Sequence, residues 1–85
     1  MATLLSFTFH NQSGSQSFIV NDVVGGSQIW TGMIVGNGVS PKLYCTAAQD
    51  GPGWGRVSVA GSNPPPLQPM VKDIRFDGDE FVYLP

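Results

Sequence analysis

The sequence predicts an all-β fold, a small antiparallel β-sandwich or partly open barrel of about seven or eight short strands. Apolar and polar residues alternate along short runs, which is the period of a strand with one buried face. Turn-forming residues, among them 11 glycines and 7 prolines, interrupt these runs every few residues. No stretch places apolar residues at helical spacing over three turns. With 85 residues, the chain is expected to form one domain, residues 1–85, around one hydrophobic core.

The first strands are predicted on either side of a polar turn. Leu5, Phe7 and Phe9 alternate with polar residues, and the apolar run 18–20 follows the turn-forming residues 11–15. Two such segments joined by a short turn predict a β-hairpin.

The next strand is predicted at residues 29–35. Ile29 and Met33 lie on one face and Trp30 on the other, so we expect both faces to be covered. Trp30 is expected to lie in the core, with an interface aromatic as the alternative. Gly36-Asn37-Gly38 tolerates positive φ and predicts a tight hairpin turn.

Alternation continues through the C-terminal half. Residues 43–47 and 57–59 are predicted strands, separated by a glycine-rich stretch. Residues 70–76 and 81–84 flank Asp77-Gly78 and predict a final hairpin.

A proline-rich segment occupies residues 64–69. Proline offers no ladder donor, so this segment must cross over or run along a sheet edge. We expect it to carry the chain between the two sheets.

Charge is scarce and unevenly placed. Charged residues make up 12% of the chain, against ~25% in a typical domain, and Asp22 is the only Asp, Glu, Lys or Arg among the first 41 residues. The nearly uncharged surface and the small size favour homo-oligomerisation. A net charge of −2 argues against nucleic-acid binding, which normally needs a basic surface.

The compartment is predicted from the cysteine and the N-terminus. Cys45 is the only cysteine, which excludes an intrachain disulfide and favours a reducing setting. The sequence begins without a signal-peptide pattern, and no apolar run approaches the ~18 residues of a membrane span. A cytoplasmic protein is expected, with signal-less export or an already removed signal as alternatives.

Catalysis is not predicted, nor is a cofactor. His10 is the only histidine and stands at a strand end, and Cys45 shares an apolar face with Leu43 and Ala47. Nothing in the sequence pairs His10 with Cys45.

Acidic residues gather near the C-terminus. Asp73, Asp77, Asp79 and Glu80 raise the question of a cation site, but their spacing does not match a calcium loop. We expect Asp77 to serve the turn and Asp79 and Glu80 to keep a hairpin tip solvated, so no metal site is predicted.

The glycine-rich stretch contains the most informative aromatic residue. Trp54 follows Asp50-Gly51-Pro52-Gly53 and is expected to be partly exposed. A flat indole beside carboxylate and amide groups suits sugar binding, so Asp50, Trp54, Arg56 and Tyr44 form the candidate ligand site. The alternative is that Trp54 folds back to close one end of the sandwich.

One short segment resembles a known family. Phe7-Thr8-Phe9-His10-Asn11, followed by Ser-Gly and another β run, resembles the first hairpin of the aegerolysin-type lipid-binding sandwiches. The resemblance covers under a quarter of the chain and implies lipid-headgroup binding.

Two functions of different classes follow from these features. The first is a non-catalytic, lectin-like binding module for a glycan or another small polar ligand. The second is a structural or protein–protein interaction module that homo-oligomerises.

Overall fold

A computed structural model describes residues 3–48, 53–62 and 68–84, with Gln68 described by its backbone alone. The strands of this part of the chain are β1 (Leu4–Asn11), β2 (Gln16–Asp22), β3 (Ser27–Ile34), β4 (Leu43–Thr46), β5 (Gly55–Gly61), β6 (Gln68–Ile74) and β7 (Asp79–Tyr83). They confirm the predicted all-β class and the predicted number of strands.

The strands form two sheets. One has three strands in the order β4-β1-β7, and the other has four in the order β3-β2-β5-β6. All neighbours are antiparallel except β1 and β7, which run parallel. The architecture is therefore a small β-sandwich.

The core lies between the two sheets because each strand contributes apolar residues on its inward face. In β5, for example, every second residue is buried, as the two-residue period of a strand requires. The buried apolar residues come from every strand and the segment after β4: Leu5, Phe7, Phe9, Phe18, Val20, Ile34, Leu43, Cys45, Ala47, Val57, Val59, Ile74 and Tyr83.

Aromatic rings join the sheets at the centre of this core. Phe9 of β1 contacts Phe18 of β2 edge to face, with ring centroids 5.2 Å apart, and Phe18 contacts Tyr83 of β7 in the same way at 4.9 Å. Phe81 stacks on Phe9 at 5.7 Å and on Phe7 at 6.1 Å. Such pairs add to the stability that burial of the rings provides.

Two predicted hairpins are wrong. β1 and β2 lie in different sheets, and so do β6 and β7. The turns between them carry the chain from one sheet to the other. The physical reason is that β1 pairs with β7 and β4, and β2 pairs with β5, which are strands far apart in the chain; among these pairings only that of β2 with β3 is a local hairpin.

Gly36-Asn37-Gly38 also leads from one sheet to the other. Asn37 has the expected positive φ, 63°. Its backbone N–H donates to the carbonyl of Asn11 at 2.8 Å, and the N–H of Asn11 donates to the carbonyl of Gly38 at 2.8 Å. The segment therefore follows β1 of the opposite sheet rather than closing a hairpin on β3.

The proline-rich connection does not change sheets, contrary to the prediction. β5 and β6 are antiparallel neighbours, with Gly61 opposite Gln68 and Ala60 opposite Pro69. Pro69 lies in the edge strand, where a missing ladder donor is tolerated. Residues 63–67 lie outside the described residues.

The two faces of β3 differ from the prediction as well. Trp30 lies opposite the buried Val20 and is half-buried, packed against the core. Its ring lies over Gly32, where a Cβ would be only 2.6 Å from Trp30 Cζ2. On the outer face Met33 is 71% exposed, so only the inner face is covered.

Buried polar groups hold the sheets together at their margins. Asp22 of β2 accepts hydrogen bonds from the N–H of Gly25 at 3.0 Å and from the N–H of Thr46, on the other sheet, at 2.9 Å. Tyr83 of β7 accepts one through its hydroxyl from the N–H of Gly61, at 3.0 Å. Of these donors the N–H of Gly61 is buried, so the Tyr83 hydroxyl satisfies a group that water cannot reach.

We expect Tyr83→Phe to lower the free energy of unfolding by about 1–3 kcal/mol, because it leaves the buried N–H of Gly61 without this acceptor. Urea denaturation measures the change. Tyr44→Phe is the matched control: Tyr44 is 50% exposed, so removing its hydroxyl should change stability by less than about 0.5 kcal/mol. Equal effects of the two variants would contradict the assigned role of Tyr83.

Candidate ligand-binding surface

Trp54 stands immediately before β5, where the chain passes close to β4. The N–H of Ala48 donates to the carbonyl of Trp54 at 2.6 Å, which fixes the backbone at this point. Gly55 follows, and a Cβ there would lie 2.7 Å from Cys45 Sγ, so only glycine allows this approach. The indole is half-buried.

Arg56 packs against the indole. Its Cζ lies 5.2 Å from the centroid of the Trp54 ring, within cation–π distance. Its Nε donates to Asp73 Oδ1 at 2.7 Å, across the β5–β6 pair in which Arg56 and Asp73 are opposite residues. The hydrogen bond from Arg56 lowers the pKa of Asp73. The guanidinium is thus held between an aromatic ring and a carboxylate.

A groove of about 540 Å³ begins at Arg56 and follows β6 towards β7. Val71 and Phe81 contribute its apolar surface. Its charged lining residues are Arg56, Lys72, Asp73, Arg75, Asp79 and Glu80. The groove therefore contains three of the four basic residues of the chain and three of the six acidic ones.

Asp79 organises the β7 side of the groove. It is 4% exposed, and its Oδ2 accepts hydrogen bonds from the N–H of Arg75 at 3.0 Å and from Arg75 Nε at 3.4 Å, while Oδ1 accepts one from the N–H of Glu80 at 2.8 Å. Burial opposes ionisation of Asp79, but the hydrogen bonds outweigh it and keep the pKa below its ordinary value. The expectation that Asp79 is a solvated tip residue is wrong, because it faces inward.

The predicted site residues fall into three groups. Trp54 and Arg56 are in contact. Tyr44 lies on the outer face of the three-stranded sheet, opposite Ser6 in the register, where Lys42 Nζ is 5.9 Å from the centroid of its ring. Asp50 lies outside the described residues. The structure thus joins two of the four and places the third on the other sheet.

Sequence reasoning missed the groove. Lys72, Arg75 and Asp79 follow one another at short spacing, and each also fits an ordinary edge strand or turn. What unites them with Arg56 is the pairing of β5 with β6 and the packing of β6 beside β7. The one available signal was the concentration of charge after residue 41.

His10 and Cys45 are not brought together. His10 lies on the outer face of β1, with Nε2 3.5 Å from Glu80 Oε2, and Cys45 points into the core. Burial raises the pKa of the Cys45 thiol to about 11, so it stays protonated at neutral pH. Within residues 3–48, 53–62 and 68–84, no three His, Cys, Asp or Glu residues lie together as a metal site would require.

No known protein family, curated protein or solved structure shows a significant match to this chain. Over the described ranges there is also no helix of the length and apolarity that crossing a membrane requires.

Stability should fall at acid pH through Asp79. Because its pKa is lower in the folded state than the ~3.9 of an unfolded chain, the stabilisation is present above about pH 4 and is lost as the pH falls towards the folded-state value. Asp79→Asn should therefore lose less stability than the original protein between pH 5 and pH 2, measured as urea midpoints. Parallel losses in the two proteins would contradict the assignment.

Proposed function

We propose that this protein is a non-catalytic carbohydrate-binding module whose site is formed by Trp54, Arg56 and the adjoining groove. The observation that carries the proposal is the position of Arg56, which contacts the indole on one side and the groove carboxylate of Asp73 on the other. An apolar ring and planar polar groups thus lie side by side. Sugars are bound by this combination, because their C–H groups face the ring and their hydroxyls meet the polar groups.

The charge of the groove favours a neutral, hydroxyl-rich ligand. Its three basic and three acidic side chains balance, and two of the pairs are in direct contact, Arg56 with Asp73 and Arg75 with Asp79. A strongly anionic ligand would meet the three carboxylates as well as the three cations. A hydroxyl both donates and accepts hydrogen bonds, so it can pair with either member of each ion pair.

The size of the groove supports the same class of ligand. Its volume of about 540 Å³ lies within the ~300–1,000 Å³ of small-molecule sites. The groove is open along the edge of the sandwich, so an oligosaccharide could enter from one end without a lid. Binding of a lipid headgroup stays a weaker alternative, because the phosphate of such a headgroup would meet a groove without net positive charge.

Tryptophan fluorescence tests the position of the site, because the chain has only two tryptophans, Trp54 and Trp30. A sugar identified on an array of neutral and acidic oligosaccharides should quench or shift the emission of the Trp30→Phe variant, whose only indole is Trp54. The same sugar should leave the emission of Trp54→Phe unchanged. A signal that persists in Trp54→Phe, or an array without any bound glycan, would refute the proposal.

Arg56→Lys tests the guanidinium separately from its charge. Lysine keeps the positive charge but loses the planar fork that spans Trp54 and Asp73, so we expect at least about a tenfold weaker sugar affinity by titration calorimetry. Tyr44→Ala is the control on the other sheet and should bind as well as the original protein. Loss of binding in Tyr44→Ala with retention in Arg56→Lys would move the site to the three-stranded sheet.

A further inference from the structure

Four strands form the edges of the two sheets, and three of them carry features that prevent edge-to-edge pairing. β4 has only four residues, and β7 has five and begins with Asp79-Glu80. β6 contains Pro69 and Lys72, and Lys72 lies opposite the buried Val57, so the lysine is on the inner side of the strand. Short strands, prolines and inward-pointing lysines are the usual means of blocking an edge.

β3 differs from the other three edges. It has eight residues, none of them charged and none of them proline. Within the described chain its only sheet neighbour is β2, so its other side has no strand partner. The carbonyl of Ile34, at the end of β3, accepts a hydrogen bond from Asn11 Nδ2 at 3.0 Å. The one irregularity of β3 is a bulge near its beginning, where the pairing with β2 shifts between Val20 and Asn21. The five residues after the bulge, Trp30–Ile34, are regular.

The surroundings of β3 also lack charge. No charged residue occurs from residue 23 to residue 41, and the preceding Asp22 is 4% exposed and bonded to Gly25 and Thr46. Met33, on the outer face of β3, and Val35, just beyond the strand, are 71% and 63% exposed. Two copies of this edge would therefore approach without repulsion, and a charged partner would find no complementary group.

We propose that β3 pairs antiparallel with β3 of a second copy, so that two four-stranded sheets form one continuous sheet across a two-fold axis. An antiparallel edge is self-complementary under such an axis, which favours a second copy over a foreign strand. The register centred on Gly32 uses the whole regular stretch. It places Trp30 of each copy opposite Ile34 of the other, an aromatic and a β-branched residue on the same face.

The dimer leaves the proposed ligand site free. β3 and β6 are opposite edges of the four-stranded sheet, so the two grooves would lie at the outer ends of the dimer. A branched or repeating glycan could then engage both sites, which raises the apparent affinity without new contacts. The dimer itself does not depend on the proposed function, because none of the groove residues belongs to β3.

Sedimentation of Met33→Lys and Val71→Lys tests the edge. In the proposed register the two lysines at position 33 lie diagonally across the axis, about 7–8 Å apart, and repel each other. The original protein should sediment at twice 9.1 kDa, and Met33→Lys should have at least about a tenfold higher dimer dissociation constant. Val71, 58% exposed on the outer face of β6, receives the same charge and should leave the dimer intact.

Hydrogen exchange on the unmodified protein provides a second measurement that does not depend on a variant. Peptides that cover β3 should gain protection as the protein concentration rises, and those that cover β6 should not. The proposal would be overturned if the protein were a monomer at millimolar concentration, or if the dimer were sensitive to Val71→Lys alone. It would also be overturned if β3 gained protection only when an extended foreign peptide was added. If a monomeric Met33→Lys protein still binds sugar, the proposed ligand site does not depend on the dimer.

Discussion

The packing of aromatic rings between the two sheets is the interaction on which the structure depends. Phe18 connects the sheets, because its ring meets Phe9 and Tyr83 of the opposite sheet edge to face. An 85-residue chain with no disulfide has little other means of stabilisation, since small domains bury a modest share of their surface. Large aromatic rings bury much apolar area, and because they have few rotatable bonds they lose little side-chain conformational entropy on folding.

The margin of this packing is where the candidate site lies. The apolar core fills the centre of the sandwich. Hydrogen bonds join the two sheets at parts of its margin, for example from the N–H of Thr46 to Asp22. On the margin between β6 and β7 a groove is lined mostly by charged side chains. Arg56 links that margin to Trp54 through its contact with the indole. The candidate site thus lies at the edge of the core, among the described residues of β5, β6 and β7.

The sequence allowed the strands to be predicted well and their partners poorly. Alternation correctly marked Phe7, Phe9 and Val57 as core residues. The turn between β1 and β2 has the same composition whether it closes a hairpin or leads to the other sheet, so local chemistry could not distinguish the two. Of the candidate site, the contact between Trp54 and Arg56 was predictable from their proximity in sequence, whereas the contribution of Lys72 was not.

By itself, the sequence determined the class of fold, the inner face of most strands and the positions of the turns, because these depend on a two-residue period and on the conformational preferences of glycine, asparagine and proline. The tertiary structure alone decided which sheet each strand joins, that β1 and β7 run parallel, and that a groove with balanced charge lies beside Arg56. These features depend on contacts between residues far apart in the chain, where no local pattern distinguishes one pairing from another.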